Sequence, residues 1–229
     1  MGVRAGILGV CLCVLSGCGG SSSNSENGNL RFLQGSPDAP QINLLVDGKS
    51  VATNIGYINA TGYISLKSGS RHVQVVPVSG ASPVLDTNVT ITASGNQTLM
   101  VTGPAASIHS ILLADGGTTA TTGDAHVRVV NASSSMGPAD VYIVPSGTSI
   151  AGIPPTVANL AFNSDTGYQL VPVGATAAGT YEVFMTAPQT KNAFLSTGPI
   201  NLAASANQTV VGLDDPSGSG FTFTVLTDQ

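Results

Sequence analysis

Apolar and polar residues alternate along this chain in short runs. "RHVQVVPV" puts Val73 and Val75 on one face, "NVTIT" does the same with Val89 and Ile91, "HVRVV" with Val127 and Val129, and "FTFTV" with Phe221, Phe223 and Val225. A period of two is the signature of strands with one buried face. Gly, Pro, Asn or Ser interrupts these runs every eight to twelve residues or so, a spacing that suits turns between strands. No sustained helical period is present. The pattern predicts an all-β protein, with about seven short strands in each stretch of roughly a hundred residues, as in immunoglobulin-like β-sandwiches. The Cys…Trp…Cys signature of antibody domains is absent, since the chain has no Trp.

The pattern occurs twice. "TNIGYINATGYISL" (53–66) aligns without a gap on "ANLAFNSDTGYQLV" (158–171), pairing Asn54 with Asn159, Tyr57 with Phe162 and Tyr63 with Tyr168. "SGNQTLMV" (94–101) aligns on "SANQTVVG" (205–212), and the closing runs "IHSILLAD" (108–115) and "FTFTVLTD" (221–228) correspond. Between the copies lies "GGTTATTGDA" (116–125), with the composition of a linker. The expected organisation is two tandem β-sandwich domains, 30–115 and 126–229, joined by 116–125.

What precedes residue 30 follows another rule. Arg4 is followed by the apolar run "AGILGVCLCVL" (5–15), too short for a membrane-spanning helix of about 20 residues, and it reads as a signal peptide over 1–17. Cys11 and Cys13 are then small apolar members of that run. "LSGC" (15–18) resembles the lipobox of bacterial lipoproteins, which implies lipid attachment at Cys18 and a protein held on a membrane without spanning it. Gly19 rather than Asp after the cysteine resembles the outer-membrane sorting pattern of Gram-negative lipoproteins. The polar stretch that follows, with Cys18 making up 18–29, has the composition of a flexible tether.

Composition narrows the function classes. Only 8% of residues are charged, against about 25% in ordinary soluble proteins. The net charge is −5 and no cluster of Lys or Arg occurs in the sequence, which argues against nucleic acid as a partner. All three cysteines lie before residue 19, so each domain must stand on its apolar core without an internal disulfide.

"GSPDAPQINLLVDGKSVATNIGYINATGYISLKSGSRHVQVVP" (35–77), with its Ser-Pro-Asp-Ala-Pro turn, Val-Asp-Gly hairpin and Gly-Tyr strand, resembles the opening of the domain-of-unknown-function family 4397. The second copy keeps Gly-Tyr but has "ASSSMGPADVYIVPSG" (132–147) in place of the first turn, as in a divergent member. The resemblance implies bacterial envelope proteins and a β-sandwich, and it transfers no catalytic residue.

The search for chemistry returns little. His72, His109 and His126 are isolated, and His72 and His126 are expected to face solvent because inward-facing Val follows each. No nucleophile elbow is present, and no metal or cofactor is expected. Asp38 is expected to form a turn by bonding nearby backbone, and Asp47 with Gly48 a hairpin turn. "LDDPSGSG" (213–220) reads as an inter-strand turn, with Ca²⁺ binding as the alternative. Tyr63 and Tyr168 are expected to place the ring in the core and the hydroxyl near edge backbone, with ligand stacking as the alternative. The five N-x-S/T matches at Asn59, Asn88, Asn96, Asn131 and Asn207 are what an Asn- and Thr-rich chain produces by chance.

The resulting expectation is a non-enzymatic, lipid-anchored envelope protein. Its partners would be the membrane through Cys18 and an envelope glycan or envelope protein. The competing reading is an envelope polysaccharide hydrolase using loop carboxylates, with Asp38, Asp140, Asp214 and Asp215 as the first to consider.

Overall fold

The computed structural model describes residues 1–2, 26–80, 82–116, 123–174 and 179–229. Cys11, Cys13 and Cys18, most of the expected tether and the linker centre at 117–122 lie outside the described residues. The protein is all-β, and the one helical element among the described residues is a 3-10 turn at Ala105–Ser107.

The first half contains β1 (Asn27–Gly35), β2 (Ile42–Val46), β3 (Lys49–Ile55), β4 (Ile64–Lys67), β5 (Gly69–Pro77), β6 (Leu85–Ile91), β7 (Asn96–Thr102) and β8 (His109–Asp115). They form two sheets, ordered β4-β1-β7-β8 and β3-β2-β5-β6. The second half contains β9 (Asp124–Asn131), β10 (Ala139–Pro145), β11 (Val157–Leu160), β12 (Ser164–Asp165), β13 (Gln169–Pro172), β14 (Gly179–Thr186), β15 (Ala193–Ser196), β16 (Ile200–Leu202), β17 (Asn207–Asp214) and β18 (Phe221–Asp228). Its sheets repeat the plan: β9 sits between β17 and the short β12 and β13, with β18 beyond β17, and β10 sits between β11 and β14, with β15 and β16 on β14. In both halves the opening strand runs parallel to the penultimate one, β1 with β7 and β9 with β17, while the other pairings are antiparallel.

β1 starts at Asn27 and β9 at Asp124, earlier than composition suggested. Asn27–Leu30 pair with Ile64–Lys67, and the Asn29 side chain donates to Asn96 at 2.8 Å. Polar residues at a strand start are tied by main-chain bonding, which composition does not register.

Alternation sorts each strand between two environments. Leu30 and Phe32 of β1 pack with Leu44, Val73, Val75 and Ile91 in the first sandwich. Val127 and Val129 of β9 pack with Val141, Val183 and Val210 in the second. The opposite faces of the same strands are buried too: Leu33, Met100 and Leu113 meet Val130, Val211 and Leu226 in a third cluster. The β1 and β9 sheets therefore pack face to face, and the molecule is four sheets deep. The same ends of the halves lie together. A Cβ on Gly116 would approach the Gln229 carbonyl at one end, and a Cβ on Gly35 would approach Val101 and Leu213 at the other.

Loop chemistry explains the recurring motifs. Asp47 and Gly48 both have positive φ, 49° and 75°, as a two-residue hairpin turn requires. Asn54 and Asn159 are both left-handed, at 56° and 58°, a region Asn tolerates better than most residues. In "TGY", the hydroxyls of Thr61 and Thr166 accept the N–H groups of Phe32 and Val129, each at 2.9 Å. The Thr thus continues the bonding of the opening strand, and the Tyr is carried to the face between the halves.

Candidate binding site

Four charged residues meet on that face, and their bonds are exchanged between the halves. Arg31 donates to Asp228 and lies 3.4 Å from Asp115, while Arg128 donates to Asp115 at 2.5 Å and lies 3.6 Å from Asp228. Each guanidinium also reaches backbone of the other half, Arg31 to the Thr227 carbonyl and Arg128 to the Ala114 carbonyl, both at 2.8 Å. Thr98 and Thr209 receive the two Nε–H groups at 2.9 and 3.0 Å and donate to Asp115 and Asp228 respectively. Tyr63 and Tyr168 cover the cluster. Their hydroxyls donate to Asp115 at 2.9 Å and Asp228 at 2.7 Å, and the guanidiniums lie 4.8 and 4.6 Å from their ring centroids. Burial and the neighbouring carboxylates push both phenols far above the ordinary tyrosine range.

Two Arg and two Asp make a neutral set in which every charge is hydrogen-bonded, the condition for burying charge without large penalty. The Tyr168 hydroxyl also accepts the Gly116 N–H at 3.3 Å, backbone at the end of the edge strand β8, but the surface that both tyrosines line is covered by a second sheet. His126 is likewise 7% exposed rather than solvent-facing. It bonds Asn207 at 3.0 Å and meets Tyr168 edge-on. His72 does lie at the surface, 2.6 Å from Asp86.

The halves diverge on their outer sheets. β2 and β3 are joined by the tight Asp47-Gly48 turn, whereas residues 146–156 separate β10 from β11. That longer loop brings Ile150 and Ile153 over Tyr142, Val144 and Phe184 in a small cluster on the outer face. Beside it is a cavity of about 500 Å³, lined by Tyr142, Pro155, Asn159, Pro188, Gln189 and Lys191 among others.

One buried carboxylate shapes two of its walls. Asp140, 4% exposed, accepts the Asn159 N–H at 2.9 Å on one oxygen and the Gln189 N–H at 2.8 Å on the other. Both donor residues have positive φ, 58° and 63°; for Gln this is an uncommon conformation that surrounding structure must hold. In the first half Asn43 makes one such bond, to the Asn54 N–H at 3.0 Å. Lys191 completes the site: its ammonium donates to the Tyr142 hydroxyl at 2.8 Å and to the Ile153 carbonyl, and lies 4.5 Å from the Tyr142 ring centroid. It has no carboxylate partner among the described residues.

The domain-of-unknown-function model DUF4397 matches residues 28–142, spanning the first half and entering β10. This chain belongs to the DUF4397 family. No curated protein matches it. Among solved structures it is similar to one described as "Alpha-glucan recognition by family 41 carbohydrate-binding modules from streptococcal virulence factors", at 12% identity and a TM-score of 0.28, with 82% of this chain and 95% of that chain covered. A likeness of that size carries no functional argument.

In this DUF4397 protein the four suspected acids divide between two places. Asp140 belongs to the outer-sheet cavity, whereas Asp38, Asp214 and Asp215 line a cleft of about 340 Å³ where loops of the two halves meet. Asp38 accepts the Ala105 N–H at 2.7 Å, so it braces a distant loop rather than its own turn. Asp214 accepts the hydroxyls of Ser133 and Ser135. Hydrogen bonds from Ser217 hold the Asp215 carboxyl below the usual carboxylate range, opposite to what a general acid needs. No group of three potential metal ligands occurs among the described residues, and no helix there is long and apolar enough to cross a membrane.

Proposed function

We propose that this chain is a lipid-anchored protein of the bacterial cell envelope, held on the membrane by an acylated Cys18, and that its two sandwiches form a non-enzymatic binding module. The second half is read as a divergent copy of the DUF4397 domain, because it repeats the first half's strand order and its buried Arg, Thr, Tyr and Asp. The observation that carries the binding role is the cavity on the second half's outer sheet, whose walls Asp140 holds in two left-handed conformations. A preformed, mostly apolar cavity with a few fixed polar groups suits recognition of a small ligand.

A sugar of an envelope glycan fits that description better than an extended protein surface. With Tyr142 buried beneath Lys191, recognition would rest on hydrogen bonds from Asn159, Gln189 and Lys191 rather than on ring stacking. The hydrolase reading has less support, since Asp140 is engaged by backbone away from the other acids and hydrogen bonds from Ser217 hold the Asp215 carboxyl below the usual carboxylate range.

The test is retention of residues 26–229 on isolated envelope material before and after exhaustive protease treatment of that material. Retention that survives protease and is lost in Lys191→Met supports a glycan ligand at the cavity. Loss with protease would transfer the role to a protein partner, and absence of retention would leave only a spacer.

A further inference from the structure

The cations of this acidic chain are unevenly placed. Beyond the first thirty residues there are six Lys and Arg, and Arg31 and Arg128 are consumed between the halves. Of the remaining four, Lys49, Lys67 and Arg71 line one groove of about 370 Å³ in the first half, over an apolar floor of Val46, Val51 and Leu66. Asp47, 3.2 Å from Arg71, is the acid within it, which leaves Lys49 and Lys67 without a carboxylate partner among the described residues. Outside the buried quartet the second half sets Lys191 alone against Asp124, Asp140, Asp165, Glu182, Asp214 and Asp215.

The groove also lies where the chain enters the fold. It runs between the edge strands β3 and β4 of the first sandwich. Lys67 pairs with Asn27 at the start of β1, the Ser68 N–H donates to the Glu26 carbonyl at 3.0 Å, and Arg71 donates to the Ser68 carbonyl at 2.8 Å. Glu26 is eight residues beyond Cys18, a reach of at most about 28 Å. An anchor at Cys18 therefore keeps this end of the body close to the headgroups.

We propose that the Lys49–Lys67–Arg71 groove docks on the anionic phosphate headgroups of the membrane that anchors the chain. Docking sets the Val46 end of the first sandwich on the headgroups. β2 runs from its Ile42 end to the groove, and β10, its counterpart, begins beside Asp140 at the opposite end. The outer-sheet cavity is then presented to the surroundings. The proposal rests on the lipid-anchored reading but is testable without the lipid, because every ladder among the described residues closes within 27–228.

The experiment is co-sedimentation of residues 26–229 with phosphatidylcholine vesicles and with vesicles containing phosphatidylglycerol, at millimolar lipid. Expected are partitioning to the anionic vesicles only, a loss of about fivefold for each of Lys49→Gln and Lys67→Gln, and further loss as added salt shortens the screening length. Lys191→Gln, at the opposite end of the body, should leave partitioning unchanged. Equal partitioning to both vesicles, none to either, or indifference to Lys49→Gln and Lys67→Gln overturns the proposal. Displacement by millimolar inorganic phosphate would overturn it in favour of a free-anion site. None of these results bears on acylation of Cys18, which is read separately by mass spectrometry of the membrane-bound chain.

Discussion

Arg128 in the second half donates to Asp115 in the first at 2.5 Å, and the bond is matched by Arg31 donating to Asp228 in the opposite direction. The two sandwiches are thereby joined through exchanged charge as well as apolar contact. Each half supplies one Arg and one Asp, so each inner face balances in charge, but the shorter carboxylate contact of each guanidinium is with the other half.

Removing one acid strands a buried cation. Asp115→Asn and Asp228→Asn, at side chains with no exposure, should each cost about 3–5 kcal/mol, read as a fall in the urea midpoint. A loss below about 1 kcal/mol would mean that water reaches the cluster.

The halves should also melt together. Leu33, Met100, Val130 and Val211 are fully buried between the sheets, so calorimetry should give one transition. Leu33→Ala should lower it, at a cost of about 2–5 kcal/mol. Two separated transitions in the wild-type chain would contradict the shared face.

Alkali should weaken the fold. Tyr63 and Tyr168 hold their protons far above the ordinary tyrosine range, chiefly through burial and the Asp115 and Asp228 carboxylates. Their folded pKa values exceed the unfolded value of about 10, so the stabilisation is fully present below that pH and is lost as pH rises above it. Urea midpoints should decline above about pH 10, and Tyr168→Phe should flatten the decline. A phenolate absorbance titrating at the ordinary value in the folded protein would refute this.

Asp140→Ala should do more than destabilise. It leaves the Asn159 and Gln189 N–H groups without their acceptor, at a cost of about 1–3 kcal/mol each, and frees Gln189 to leave its left-handed conformation. Retention on envelope material should disappear while the interface between the halves stays intact. Asn43→Ala, at the corresponding place in the first half, should leave retention unchanged.

Much of this was legible in the chain. Alternation located the strands around Val73, Val89, Val127 and Phe223, and Asp47-Gly48 announced its hairpin. The internal alignments paired Thr98 with Thr209, Tyr63 with Tyr168 and Asp115 with Asp228, six of the eight residues of the buried network. Arg31 and Arg128 went unnoticed because the aligned runs did not reach them. A period of two assigns their face to solvent, as it does for any polar residue between apolar ones.

By itself, then, the sequence determined the all-β class, the strand repeat and the Asp47-Gly48 turn, because backbone geometry and local composition act over a few residues. Tertiary structure alone decided what covers each strand's second face. Leu33 and Arg31 are buried only because Val130 and Asp228, distant in the chain, arrive opposite them. It likewise gathered Lys49, Lys67 and Arg71 into one groove and Tyr142, Gln189 and Lys191 around one cavity. Sheet packing sets such meetings through distances between residues far apart in the chain, and no local pattern encodes them.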